Sequence, residues 1–204
     1  MLTAPLELSL TAQTVEEPMA HELTRDLTQA RYRTISLFEP LLSLAMLRGI
    51  KKHEMRKQRF RPGLYLLHTG RSTTPDAIAQ TLRIEWPGAP DSAELTRGAI
   101  YGLAWFGAPA PVNQDTHGAW AQFGAFGMPV LRTVEFAEPV ANISGKLGAW
   151  HLEDAPAQQR IVEALRGSTY RVFPASRDLG QKGKSKSLPQ ECRRQSPKAQ
   201  SNTH

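Results

Sequence analysis

Eight residues, Gly49-Ile50-Lys51-Lys52-His53-Glu54-Met55-Arg56, join an apolar helix to a charged strand. Upstream, Pro40 suits a first helical position, where a missing N–H costs nothing. Residues 41–48 are apolar nearly all round, so this helix is expected to be buried, plugging a sheet or barrel. Gly49 can end it in a left-handed conformation that other residues avoid. Residues 50–56 then read as a strand. Glu54 and Arg56 are two apart, so they share a face and can pair. Lys51 has the opposite parity in a regular strand and joins them only from the loop at its start or through a bulge. The plainest outcome for these charges is a solvated ion pair on an edge strand, energetically small. In a partly buried cleft, a lysine beside an arginine has its charged form disfavoured and can act as base or nucleophile. A fully charged lysine there grips phosphate instead.

Working outward, residues 32–38 alternate as a strand, and 64–68 form another after the Pro62-Gly63 turn. Thr74 and Pro75 open an amphipathic helix to about residue 86, with Thr74 as its cap. Strands are expected at 99–106, 130–136 and 149–152, and a last helix at 156–166, stopped by Gly167. Strands with helices between them predict a mixed α+β domain around a curled sheet. Three zones result. Residues 1–30 are polar with little periodicity and read as a flexible or weakly helical arm. Residues 31–173 hold the domain. Residues 174–204, rich in Ser, Lys, Gln, Pro and Gly, read as a disordered basic tail, because they bury too little to offset the entropy of ordering.

The chain has 204 residues, 40% hydrophobic and 22% charged, which suits one domain with tails and excludes a wholly disordered protein. One cysteine, Cys192, excludes a disulfide framework and fits a reducing compartment. No apolar run nears the roughly 18 residues of a membrane span. Glu7 stands where a secretory signal carries Lys or Arg, so a cytoplasmic protein without a membrane partner is expected. Of the net +6, much sits in two clusters. Residues 175–204 hold seven Lys and Arg against two acids, and residues 48–61 hold seven against Glu54 alone. Such clusters attract phosphate by counterion release. The six histidines show no metal-binding spacing, Gly70-Arg71-Ser72-Thr73-Thr74 lacks the second glycine of a hydrolase elbow, and Gly183-Lys184-Ser185 has Asp178 in place of the first glycine of a phosphate loop. No metal and no cofactor is expected.

The pattern Gly49-x-Lys51-x-x-Glu54-x-Arg56 after a short Pro-led helix resembles the signature of the ASCH domain, a PUA-like β-barrel. Four further stretches resemble that family in kind and order: Ser36-Leu37-Phe38-Glu39-Pro40, Leu67-His68-Thr69-Gly70-Arg71, Arg97-Gly98-Ala99-Ile100-Tyr101-Gly102 and Gly145-Lys146-Leu147-Gly148-Ala149-Trp150. Together they span roughly residues 32–152. Leu41 replaces the tryptophan that commonly follows the proline, and Ala149 replaces the usual leucine. The resemblance implies a PUA-like barrel with inserted helices and a cleft for RNA or a nucleotide. In that cleft Lys51, Glu54, Arg56, His68, Arg71 and Lys146 would meet phosphate and base. His68 reads equally as a structural hydrogen-bonder at a strand end. Trp105, Phe106, Phe123 and Phe126 read as core, whereas Gly118, Ala119 and Gly124 around Trp120 predict an exposed loop and a stacking residue.

A second reading is a small hydrolase acting on RNA or a modified nucleoside. Some ASCH-like proteins resemble acetylcytidine amidohydrolases, in which Lys51 would map onto the catalytic lysine. There a threonine stands where this chain has Glu54, and a carboxylate serves as general base but not as a hydroxyl nucleophile. A metal-free ribonuclease using Lys51 and Glu54 is the form left open. A partner-binding adaptor with a vestigial cleft is the third class.

Overall fold

The computed structural model describes residues 12–72 and 74–173; the expected tail at 174–204 and the first eleven residues of the arm lie outside the described residues. Nine strands form a mostly antiparallel sheet: β1 (Ala12–Thr14), β2 (Arg33–Leu37), β3 (His53–Arg56), β4 (Gly63–Thr69), β5 (Ala99–Phe106), β6 (Ala110–Pro111), β7 (Phe126–Val140), β8 (Ala149–His151) and β9 (Thr169–Val172). Five helices join them: α1 (Glu17–Gln29), α2 (Pro40–Leu47), α3 (Asp76–Glu85), α4 (Gln114–His117) and α5 (Ala155–Ala164). No helix among the described residues is long and apolar enough to cross a membrane.

The strand order is β1-β9-β7-β5-β4-β2-β8, with β2 and β4 parallel. The expected barrel does not close: β1 pairs with β9 and β8 with β2, at opposite ends of the path. Instead the fifteen-residue β7 serves two groups of strands. Its first part pairs with β3 and β6, and the remainder runs between β5 and β9.

Alternation along β4 explains the layers. Tyr65 and Leu67 join one apolar cluster with Leu44, Met46 and Leu47 of α2, while Leu64 and Leu66 join another with Leu23 and Leu27 of α1 and Ile161 of α5. The sheet is thus apolar on both faces, with α2 against one and α1 and α5 against the other. As the sequence predicts, α2 is buried on nearly every side. Gly49 follows it at φ +78°, and a side chain there would meet Phe173.

The arm expectation is corrected. Residues 12–29 form β1 and α1, and Ala20, Leu23 and Leu27 are buried at helical spacing. Their narrow apolar stripe is held because the second sheet face needs a cover. The N-terminus of α3 is corrected too: its cap position is Pro75, with no side-chain cap bond, so Thr74 does not cap it.

Candidate functional site

Three connections bring the charged octapeptide to one place. The turn after α2 lets the Lys51 N–H donate to the Ala45 carbonyl at 2.9 Å, which drops the Lys51 side chain below the strand that follows. Its ammonium donates to Glu54 Oε2 at 2.7 Å and to the His53 carbonyl. Lys51 therefore reaches its partners from the loop, the first of the two routes that its parity leaves. Arg56 Nε lies 2.7 Å from Glu54 Oε1, an ion pair off the line of a hydrogen bond, while its Nη2 donates to the Ser36 carbonyl at 3.0 Å. The expected solvated pair is instead buried. Lys51 and Glu54 are 4% and 5% exposed. Burial works to raise the Glu54 carboxyl, but Lys51 and Arg56 hold it below the usual carboxylate range. Burial pulls the Lys51 ammonium down against the attraction of Glu54. Glu54 thus sits between the two basic groups, its ionised form favoured by both.

Lys51, Glu54 and Arg56 line a cavity of about 510 Å³. That volume lies within the range of small-molecule sites, about 300–1,000 Å³. Its other walls come from the end of β2, from the end of β4 with the loop that follows, from the residues around Trp120, and from the loop before β8. His68, Arg71, Lys146 and Trp120 are all on these walls. The structure thus brings together in one hollow every residue singled out as a site candidate, from segments up to about a hundred positions apart.

His68, at the end of β4, is almost fully buried. Its Nε2 faces the Ile143 carbonyl at 3.1 Å, and its Nδ1 faces the Ser36 hydroxyl at 3.1 Å. Burial lowers its pKa; the Ile143 carbonyl opposes this and the charge of Arg71 adds to it. The neutral ring must donate from Nε2, because a carbonyl only accepts, which assigns the tautomer and leaves Nδ1 as acceptor. The Ser36 hydroxyl is then shared between His68 Nδ1 and the Lys146 carbonyl at 2.8 Å, while accepting from Trp150 Nε1 at 3.0 Å. His68 accordingly fastens the loop at 143–148 to β2. Gly145 makes this possible, since a Cβ there would fall 2.2 Å from the His68 ring.

Arg71 and Lys146 are exposed at the rim. Among the described residues no carboxylate lies within 4.0 Å of Arg71, and Lys146 reaches only the exposed Glu153 at 3.9 Å. Trp120 is not in an exposed loop. It lies in a short 3₁₀ helix, Gly118–Phe123, and is 7% exposed, because its ring packs on Phe123 and under the Lys51 ammonium, 5.2 Å from the ring centre. Of the glycines that suggest exposure, Gly124 serves close packing, since a Cβ there would strike the Arg56 backbone, while Gly118 takes a positive φ of +54° with open space around it. The Trp120 Nε1–H is buried and has no acceptor among the described residues.

Two rim residues escape sequence reasoning. Phe38 is 47% exposed and Leu147 fully exposed, and both line the cavity. Alternation alone places Phe38 on a strand; the only available sign of its exposure is Pro40 two residues on, which ends that strand.

No family model matches the chain, and no curated protein matches it.

Proposed function

We propose that the chain is an RNA- or nucleotide-binding protein of the ASCH type, built on an open curled sheet, with the cavity around Lys51 as its ligand site. The observation that carries this reading is a hollow of about 510 Å³ floored by Lys51, Glu54 and Arg56 and rimmed by the exposed Arg71 and Lys146. The rim cations supply attraction to phosphate, and Phe38 offers a ring for base stacking. The single cysteine fits a cytoplasmic setting. Single-stranded RNA titrated against labelled protein at low salt tests it. Binding should weaken steeply with salt and fall on Arg71→Ala with Lys146→Ala; affinity no better than that of an acidic control protein overturns it.

A second reading rests on Lys51, whose depressed ammonium beside Glu54 has the character of a base in a small hydrolase. Lys51 also donates to two acceptors, which holds its proton in place, so binding is preferred. Wild type and Lys51→Ala compared on labelled RNA and on acetylcytidine decide it. Equal rates remove the enzyme.

A further inference from the structure

A second depression, of about 330 Å³, lies on the far side of the cavity wall. Three arginines line it: Arg33 of β2, and Arg59 and Arg61 from the link between β3 and β4. Among the described residues none of them has a carboxylate within 4.0 Å, and none of their guanidinium groups makes a hydrogen bond to another side chain or to backbone. Two are nevertheless held in place by rings. The Arg33 guanidinium lies 5.1 Å from the centre of Tyr65, and that of Arg59 lies 4.7 Å from the centre of Phe126. Stacking of this kind leaves the edge N–H groups of a guanidinium free for an anion. Elsewhere in the fold, Arg166, Arg56, Arg48 and Arg171 are spent on Glu17, Glu54 and Glu135, and Arg132 of β7 lies singly over Trp105. Here three stand together around one depression.

Residues in direct contact line the two hollows. Ser36 lines the first cavity and accepts from the indole of Trp150, which lines the second. Arg56 lines the first and lies over Phe60, which lines the second, at 5.4 Å. A ligand that filled both would need anionic groups on each side of a short neutral ridge. A nucleoside monophosphate has one phosphate; a single strand has one at every residue.

We infer that the arginine depression seats the phosphodiester backbone of a strand whose base enters the first cavity, so that the ligand is single-stranded RNA rather than a free nucleotide. This rests on the RNA reading above. A positive groove that tracks the backbone beside a pocket for a base is the general physics of single-strand binding.

The test uses the full chain with two probes, a labelled single-stranded RNA of mixed sequence and a mixture of the common nucleoside monophosphates. Arg59 and Arg61 are exposed, so Arg59→Ala with Arg61→Ala should fold, which a thermal melt checks. The double variant is expected to bind RNA roughly tenfold or more weakly. The slope of log affinity against log salt should flatten by about 1.4, the loss of two phosphate contacts on a single strand. Monophosphate binding should not change. Unchanged RNA affinity and slope in the variant would overturn the inference while leaving the first cavity as a nucleotide site. Equal weakening of both probes would overturn it too, because the arginines would then belong to the first cavity. Wild type that binds neither probe would overturn the parent reading and this one together.

Discussion

Glu54 holds two cations in a place that water barely reaches. Removing one partner of such a set strands buried charge, a loss of about 3–5 kcal/mol. Glu54→Gln should therefore lower unfolding stability by about that amount in a urea titration; a loss under about 1 kcal/mol would show the trio to be solvated. Trp120 gives the opposite pattern. Trp120→Phe keeps the ring under Lys51 and deletes a donor that has no acceptor among the described residues. Stability should hold or rise slightly, while RNA affinity changes by less than about twofold, because the Nε1–H is shut off from the cavity. A variant weakened in both folding and binding would contradict this. His53 carries the pH dependence. Burial first, then His117, Lys51 and Lys52, push its pKa from 6.5 down to about 4. The unfolded chain then binds more protons than the folded one between those values, so stability must fall as pH drops from about 6.5 to 4. His68 shifts in the same direction. Urea midpoints across that range should decline in wild type and decline less in His53→Gln.

At the scale of elements, the loop at 143–148 closes one wall of the site by lying on His68. Gly145→Ala should push that loop outward, weaken RNA binding several-fold and lower the melting temperature, because the added Cβ meets the ring of buried His68. Unchanged binding would mean that the loop does not shape the cavity. Most elements are legible because their signals are local. Pro40 and Gly49 bracket α2, and an unbroken apolar run declares its burial. α1 is hidden because only Ala20, Leu23 and Leu27 mark its inner face, and what buries them is a sheet face assembled from residues far along the chain. Trp120 misleads for a related reason: neighbouring glycines signal either a loose loop or tight packing, and the choice depends on Arg56, sixty-four positions away.

For the whole molecule, strand parity and the resemblance to the ASCH signature together nominate Lys51, Glu54, Arg56, His68, Arg71 and Lys146, and the glycines around it nominate Trp120, yet nothing local says that they share a hollow. That follows from β2 lying parallel to β4, with the octapeptide of β3 turned onto β7 beside them. Parity narrows Lys51 to two routes, the loop or a bulge, and it reaches Glu54 from the loop. Barrel closure is not foretold, since it depends on whether the two ends of the sheet meet, and α1 and α5 cover the face between them instead. Phe38 escapes notice because exposure is a property of the finished surface. The charge clusters at 48–61 and 175–204 compete to explain any RNA affinity, and only location separates them. Photo-crosslinking of labelled RNA to the full chain, with the modified residues mapped by mass spectrometry, makes that separation. Crosslinks at Phe38, Trp120 and Lys146 are predicted; crosslinks confined to residues 174–204 would contradict the cavity as the binding site.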